Sequence, residues 1–203
     1  MDATIAGVNP DDRRAFHIAR YRFAADRVAG MIVADVACGT GYGSHVMVND
    51  GALIVVGVDI DTAAIAYASG HHKVQGVSFR HASACNTGMP SESFDAVVSF
   101  ETLEHVPDDA AVIAEFARIL RPGGLLICSV PNKWGLSKYH VRSYDRESFD
   151  AALSPAFVVD GMWNQNSGDM ARELNHGQPA GIVETTDANY DLAECLIAVG
   201  VKR

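Results

Sequence analysis

The stretch VADVACGTGYGS, residues 33–44, brings Gly39, Gly41 and Gly43 close together in the chain. It follows a short apolar run typical of a buried strand, and the residues after it have the pattern of a helix. Glycine adopts backbone conformations that other residues avoid, and it lets a bound molecule approach the main chain closely. We therefore expect a tight turn between a strand and a helix, with a ligand held against it.

Apolar runs and helical patterns alternate along the rest of the chain. The predicted strands are 31–37, 53–58, 77–80, 94–100, 125–130, 156–162 and 191–199, and the predicted helices are 10–29, 42–50, 61–69, 107–120 and 145–153. Gly70 is expected to close the third helix. This alternation predicts a parallel sheet with helices on both faces. The polar stretch 164–189 joins the last two strands without a predicted crossover helix, which indicates either a functional loop or a short helix without a clear pattern.

The composition favours one domain, residues 1–203, because 48% of the residues are hydrophobic and no apolar run is long enough to span a bilayer. A formal net charge of −9 argues against a nucleic-acid or anionic-membrane partner. The cysteines are far apart in sequence, so they predict neither a disulfide framework nor a zinc site. Without a secretory signal pattern, the expected compartment is the cytoplasm.

Two kinds of cofactor, a dinucleotide and S-adenosylmethionine, fit a glycine-rich turn after a first strand. A dinucleotide site prefers the spacing G-x-G-x-x-G, whereas this turn has G-x-G-x-G preceded by Asp35. Asp59 ends the second predicted strand, where its carboxylate can accept hydrogen bonds from ribose hydroxyls. Asp59 alone leaves both cofactors open, since each contains a ribose, and it could instead cap the next helix. Asp61 could take that capping role.

Together with VVGVDID, residues 55–61, and SFDAVVSFETLEHVPDDAAVIAEFARILRPGGLLICSVPN, residues 93–132, the glycine-rich stretch resembles the class I S-adenosylmethionine-dependent methyltransferases. The resemblance is to the small-molecule enzymes of ubiquinone and polysaccharide biosynthesis. It implies an α/β fold with a Rossmann-like, seven-stranded, mostly parallel sheet, an antiparallel last strand and helices on both faces. It also implies S-adenosyl-L-methionine as the cofactor and methyl transfer as the reaction.

The resemblance assigns a set of residues to the cofactor. They are Arg20, Tyr21, Asp35, Ala37, Cys38, Gly39, Gly41, Asp59, Ile60, Ser83, Ala84 and Phe100. The segment HIARYRFAADRV belongs to a predicted lid helix, about residues 10–29, in which Arg20 would face the methionine carboxylate and Tyr21 the sulfonium. Asp59 would bind the ribose and Ile60 would pack on the adenine. A solvated arginine beside a packing tyrosine is the alternative for the lid residues.

Two positions depart from the family pattern. Ala37 stands where the family often has the first glycine of the loop, and alanine costs little there if its φ is ordinary. Ser83 stands where an aspartate commonly accepts a hydrogen bond from the adenine amino group. A serine hydroxyl also accepts, but more weakly than a carboxylate.

The stretch SVPNKWGLSKYHVRSYDRESF, residues 129–149, is expected at the carboxyl edge of the sheet and resembles the loop of sugar methyltransferases. Aromatic faces combined with polar donors suit a carbohydrate, so we assign substrate binding to Asn132, Trp134, Tyr139 and Arg142. His140 is the candidate general base, because unperturbed imidazole titrates near neutrality. The alternative is a surface histidine on a mobile loop.

The segment FETLEHVPDD adds Glu101 and His105, which share a face if they lie on one helical turn. They complete the predicted catalytic group with His140. His105 could contact the acceptor or cofactor, or cap the following helix. Glu101 could bind the methionine end or a divalent cation. Mg²⁺ stays open, with Asp108 and Asp109 as further acidic candidates, but no spacing defines a metal site.

The expected function is O-methylation of a sugar hydroxyl in an oligosaccharide, polysaccharide precursor or sugar nucleotide, by in-line transfer with a histidine base. The partner would be a small-molecule or glycan acceptor, and a homodimer stays open. One alternative is O- or N-methylation of a quinone, lipid or small natural product. Another is a non-catalytic protein that binds S-adenosylmethionine. A dinucleotide-dependent reductase is disfavoured, because the chain has no Tyr-x-x-x-Lys pair.

Overall fold

A computed structural model describes the backbone of residues 10–166 and 181–203, with side chains from residue 15 onward. The helices are α1 (Pro10–Val28), α2 (Tyr42–Asn49), α3 (Thr62–His71), α4 (Asp109–Ile119) and α5 (Arg146–Leu153). The strands are β1 (Ile32–Val36), β2 (Ile54–Asp59), β3 (Val77–His81), β4 (Phe94–Phe100), β5 (Leu120–Pro131), β6 (Phe157–Gln165), β7 (Ile182–Glu184) and β8 (Cys195–Lys202). Short 3-10 helices span Leu103–His105 and Tyr190–Leu192.

The strands form one sheet in the order β3-β2-β1-β4-β5-β8-β6-β7. The pairs from β3 to β5 are parallel, whereas β8 runs antiparallel to both β5 and β6. This confirms the mostly parallel sheet with an antiparallel last strand. The sheet has eight strands rather than seven, because the short strand β7 forms on the edge of β6, inside the stretch predicted as a loop. Most of that stretch, residues 167–180, lies outside the described residues.

Local side-chain caps fix where several helices begin. The Asp61 carboxylate accepts hydrogen bonds from the first turn of α3, and Asp108 caps α4 in the same way. Helix α4 therefore starts at Asp109 and not at Pro107. The prediction that Gly70 closes α3 was wrong, because the helix continues through Gly70 to His71.

The two faces of the sheet carry separate hydrophobic cores. Successive residues of a strand point to opposite faces, so Val33 and Ala34 of β1 belong to different cores. Helices α1 and α2 cover the first face, and α4 and α5 cover the second. Their buried residues are Tyr21, Ala24, Ala25, Val28 and Met47 on the first face, and Val112, Ile113, Phe116, Ile119, Phe149 and Leu153 on the second. Helices on both faces were predicted and are confirmed.

A partly buried hydrogen bond links helix α1 to the end of β6. The Gln165 side-chain amide, at the end of β6, donates to the Phe16 carbonyl oxygen at 2.8 Å. Among the described residues, no helix combines the length and apolar character needed to cross a membrane.

Candidate active site

A cavity of about 390 Å³ opens at the carboxyl ends of β1, β2 and β4. Strands β1 and β4 are neighbours at this point, and the strand order runs outward from them in opposite directions, with β2 and β3 on one side and β5 on the other. Ligands of open α/β sheets bind where the strand order reverses in this way. Seven residues predicted for the site line the cavity: Ala37, Asp59, Ile60, Ser83, Ala84, Glu101 and His105. The sequence motifs thus meet in one place.

The glycine-rich turn has the left-handed backbone that its composition predicts. Gly39 and Gly41 have φ values of +53° and +80°, and Ala37 has a φ of +63°. The condition under which alanine would cost little, an ordinary φ, is therefore not met, and Ala37 is held in a conformation that favours glycine. A Cβ atom on Gly41 would lie 2.6 Å from the Phe79 ring, so this position also needs glycine to let the turn pack.

Asp59 joins the turn to the end of β2. One carboxylate oxygen accepts a hydrogen bond from the Gly39 N–H at 2.8 Å, and the other accepts from the Asp61 N–H at 2.8 Å. Each oxygen keeps a lone pair, so two ribose hydroxyls could still donate to it. Asp61, rather than Asp59, caps α3, which was one of the two capping assignments considered from the sequence. Ile60 is 70% exposed beside the same cavity, a position open to an apolar ring.

Asp35, Tyr21 and Ser44 form a buried cluster beneath the turn. The Tyr21 hydroxyl donates to the Asp35 carboxylate at 3.3 Å, and the Ser44 hydroxyl donates to it at 2.6 Å. Burial raises the pKa of Asp35 to about 7, although both hydrogen bonds favour the ionised form. Asp35 and Tyr21 therefore support the turn from below and are absent from the cavity wall.

Arg20 is fully enclosed in a network with Glu101 and Cys195. Its guanidinium lies 3.0 Å from the Glu101 carboxylate and donates to the Cys195 sulfur at 3.0 Å. Glu101 has a φ of +53° and also accepts from the Ser129 hydroxyl. Glu101 lines the cavity, so Arg20 contacts the site indirectly, through its ion pair with Glu101. The predicted contact of Arg20 with the methionine carboxylate stays a prediction.

The remaining predicted cofactor residues have distinct surroundings. Ser83 and Ala84 lie on the cavity wall, where the Ser83 hydroxyl accepts from the Cys85 N–H. Cys38 is buried behind the turn, and its N–H donates to the Val58 carbonyl oxygen at 3.0 Å. Phe100 packs edge-on against Tyr21 in the core.

Glu104, His105 and His140 form a second group beside the cavity. Glu101 and His105 do not share a helical turn, because only Leu103–His105 is helical, yet both still line the cavity. The His105 and His140 rings are 4.9 Å apart, and the Glu104 carboxylate is 3.5 Å from His105 Nε2. Burial, followed by the nearby Glu101 charge, raises the pKa of Glu104 to about 9. Burial and His105 lower the pKa of His140.

The predicted substrate residues divide into two groups. Asn132 is buried, and its amide donates to the carbonyl oxygens of Tyr190 and Ala193, so it ties strand ends together. Arg142 pairs with Asp109 and donates to a backbone carbonyl. Trp134 and Tyr139, in contrast, are 41% and 52% exposed on the loop that carries His140. The Lys138 ammonium lies 4.7 Å from the centre of the Tyr139 ring, and the Trp134 ring lies 5.8 Å from the His140 ring.

Sequence reasoning missed Glu104 and Cys195. Glu104 directly follows apolar Leu103 and precedes His105, and a second acid beside a candidate histidine was the signal that could have found it. Cys195 begins β8 and reaches the site only through the antiparallel pairing with β5, which no local motif reveals.

The comparisons with known proteins identify the family of the chain. A family model described as a methyltransferase domain matches residues 34–128. A protein of Mycolicibacterium smegmatis named "Probable S-adenosylmethionine-dependent methyltransferase" is 31% identical over 177 residues, which are 83% of this chain and 68% of that protein. A ubiquinone biosynthesis O-methyltransferase of Pseudomonas fluorescens is 41% identical over 110 residues, and the match spans about half of each protein, 52% of this chain and 47% of the relative.

A solved methyltransferase structure from Thermotoga maritima shares the fold, with a TM-score of 0.72 over 95% of both chains at 18% identity. Fold, cavity and sequence relationship lead to the same result. The chain belongs to the S-adenosylmethionine-dependent methyltransferases and uses S-adenosylmethionine as its cofactor.

Proposed function

We propose that this methyltransferase O-methylates a sugar hydroxyl, with His140 as the general base where no metal ion is bound. The observation that carries the proposal is the loop after β5. It carries exposed Trp134 and Tyr139 shortly before His140 in the chain. The His140 ring lies 5.8 Å from the Trp134 ring and 4.9 Å from the ring of His105, which lines the cofactor cavity. Aromatic faces bind the apolar C–H faces of sugar rings, and the imidazole can handle a hydroxyl proton.

The loop has a defined place over the site. The Val141 N–H donates to the Glu104 carbonyl oxygen at 2.9 Å, and the Tyr139 carbonyl oxygen lies 2.8 Å from His105 Nδ1. These contacts hold His140 within ring contact of His105, which lines the cavity. The lowered pKa of His140 keeps its imidazole neutral near pH 7, which is the form that can accept a proton.

The proposed step is a single displacement. A lone pair of the acceptor oxygen forms the bond to the methyl carbon while the carbon–sulfur bond breaks, and its electrons stay on sulfur. The hydroxyl proton passes to the His140 imidazole, which returns it to solvent. Positioning of the two reactants provides most of the rate gain, about 7–11 kcal/mol in favourable cases. A base adds about 10²–10⁴-fold.

We also propose that α1 acts as the lid over the methionine end of the cofactor. Its Arg20 pairs with Glu101, which lines the cavity, and its Tyr21 donates to Asp35 beneath the glycine-rich turn. Asp59 and Ile60 are the proposed ribose and adenine contacts, because both line the cavity and keep unused surface.

A quinone or another apolar phenol is the second candidate acceptor. Leu136, 71% exposed on the same loop, offers an apolar contact. The similarity to the Pseudomonas enzyme also supports this acceptor, although it covers only about half of either chain. A protein that binds S-adenosylmethionine without turnover is the third alternative, and it would use the same cavity.

The test incubates the protein and methyl-labelled S-adenosylmethionine with three acceptor pools: oligosaccharides, catechol-type phenols and a cell extract. We expect label in the oligosaccharide pool. His140→Ala should lower turnover about 10²–10⁴-fold and leave the affinity for S-adenosylhomocysteine, measured by calorimetry, within about threefold.

His71→Ala is the matched control, because it removes an exposed histidine from α3, distant in the chain from the loop. It should retain turnover. Label only in the phenol pool would replace the sugar with an aromatic acceptor. Tight cofactor binding with no label in any pool would support the non-catalytic alternative, and unchanged turnover in His140→Ala would remove the base.

A further inference from the structure

We propose that Glu104, His105 and His140 form a binding site for one divalent first-row transition-metal ion. Each side chain offers one ligand atom, and these atoms all lie within 4.8 Å of one another. Two imidazole nitrogens and one carboxylate oxygen are a donor set common in metal sites with open coordination positions.

The Glu104 carboxylate gives the strongest reason for an ion. Its side chain is 2% exposed, and neither of its oxygens has a hydrogen-bond partner among the described residues. Burying a carboxylate without partners is costly. The nearest buried guanidinium, that of Arg20, is already bound to Glu101 and Cys195. A cation between Glu104 and the histidines would satisfy the carboxylate.

His105 is oriented as a ligand. Its Nδ1 lies 2.8 Å from the Tyr139 carbonyl oxygen, so the proton belongs on Nδ1, which donates to that oxygen. The lone pair is then on Nε2, the nitrogen that lies 3.5 Å from Glu104. A backbone carbonyl that fixes the tautomer of a ligating histidine is a recurring feature of metal sites.

His140 completes the set from the loop after β5. Ligands bound at about 2.0–2.1 Å in a tetrahedral site lie about 3.3 Å from each other. The Glu104–His105 pair is already near that separation, at 3.5 Å. The backbone hydrogen bond from the Val141 N–H to the Glu104 carbonyl oxygen keeps the loop beside the other two ligands, and the His140 ligand atom lies within 4.8 Å of both.

The donor set selects the class of ion. Nitrogen-rich sites favour Zn²⁺, Co²⁺ or Ni²⁺, whereas Mg²⁺ prefers oxygen ligands. Because His105 lines the cofactor cavity, the open positions of the ion would face the acceptor. An ion there would bind the acceptor hydroxyl and lower its pKa, with His140 as a ligand instead of the base. This consequence rests on the proposed function, but ion binding does not.

The test titrates the full chain with Zn²⁺ by calorimetry and with Co²⁺ by visible absorption, in buffer freed of metals. A Cys85→Ser background removes the exposed thiol, which could bind either ion. We expect one ion per chain and a Co²⁺ spectrum that millimolar Mg²⁺ does not displace. Glu104→Gln, His105→Ala and His140→Ala should each weaken binding at least tenfold.

Controls separate loss of the site from loss of the fold. Glu104→Gln keeps the shape of the buried side chain, so it should stay folded by circular dichroism and still bind S-adenosylhomocysteine. His71→Ala should retain the stoichiometry. A titration without a bound ion, or equal affinity in Glu104→Gln and the parent, would overturn the site. Neither measurement needs an acceptor, so a failed sugar assay leaves this inference intact, and failed ion binding leaves the sugar proposal intact.

Discussion

Ala37, at the edge of the cofactor cavity, has a strained backbone conformation that lowers the stability of the folded protein. It has a φ of +63° directly after β1, where the left-handed conformation costs a non-glycine residue about 1–2 kcal/mol. Ala37→Gly relieves this strain but adds about 0.5–1 kcal/mol of backbone entropy to the unfolded chain. We expect a net gain of about 0.5–1 kcal/mol in the free energy of unfolding, measured in urea. A loss of stability would mean that the Ala37 methyl group packs more favourably than the backbone is strained.

Asp35 gives a second prediction at this scale, for the pH dependence of stability. The native carboxyl holds its proton up to a pKa of about 7, whereas the unfolded chain releases it near the usual value of 3.8. Between these values the native state binds more protons, so the contribution of Asp35 to stability falls as the pH rises, by at most about 1.4 kcal/mol per pH unit.

Asp35→Asn removes that titration and keeps the shape of the side chain. Its free energy of unfolding, relative to wild type, should rise between about pH 4 and pH 7 and then stay constant. Urea unfolding at several pH values, without cofactor, checks this. A difference that does not change with pH would show that Asp35 is ionised throughout in the native protein.

At the scale of elements, glycine has opposite consequences in α2 and α3. A Cβ atom on Gly43 in α2 would lie 2.0 Å from the Tyr21 ring, so α1 packs on α2 only because this position has no side chain. A Cβ atom on Gly70 in α3 would have no atom within 4 Å apart from its chain neighbours and the backbone of its own helix. Gly43→Ala should therefore cost about 1–3 kcal/mol, because Tyr21 is buried and bonded to Asp35 and has little space to move.

Gly70→Ala is the matched control, since it should add about 0.5–1 kcal/mol from helix propensity alone. Thermal unfolding of both variants checks the pair. Equal effects would show that the contact between α1 and α2 adapts to the added methyl group.

At the scale of the whole molecule, the sequence predicted what local patterns encode. Strand β4, residues 94–100, was placed with the right bounds, and Asp61 and Asp145 marked their helix starts, because caps and apolar runs act over a few residues. The resemblance supplied the antiparallel last strand. Strand β7 was missed because three residues inside a polar stretch have no pattern of their own.

The candidate site, like the fold, was predicted where local patterns encode it and missed where tertiary contacts decide. Ala37 and Asp59 could be placed at the predicted site because each directly follows or ends an apolar strand pattern, and both line the cavity. Buried Glu104 was missed because its importance depends on His140, which comes from another part of the chain. Asn132 and Arg142 were assigned to the substrate from their chemistry, but their hydrogen bonds within the fold depend on tertiary contacts that a single sequence does not show.

The position of β8 has a consequence for how the protein is made. This strand follows all the others in the chain, yet it lies between β5 and β6 and pairs with both. During translation, β1 to β5 can pair as soon as they leave the ribosome, but β6 can pair only with the short strand β7 and cannot join the rest of the sheet until β8 has been synthesised. The nascent chain therefore exposes the open edges of β5 and β6 for that whole interval, which is the period when chaperones would bind it. Cys195 belongs to β8, so the buried network around Arg20 is completed only after this last strand has been inserted.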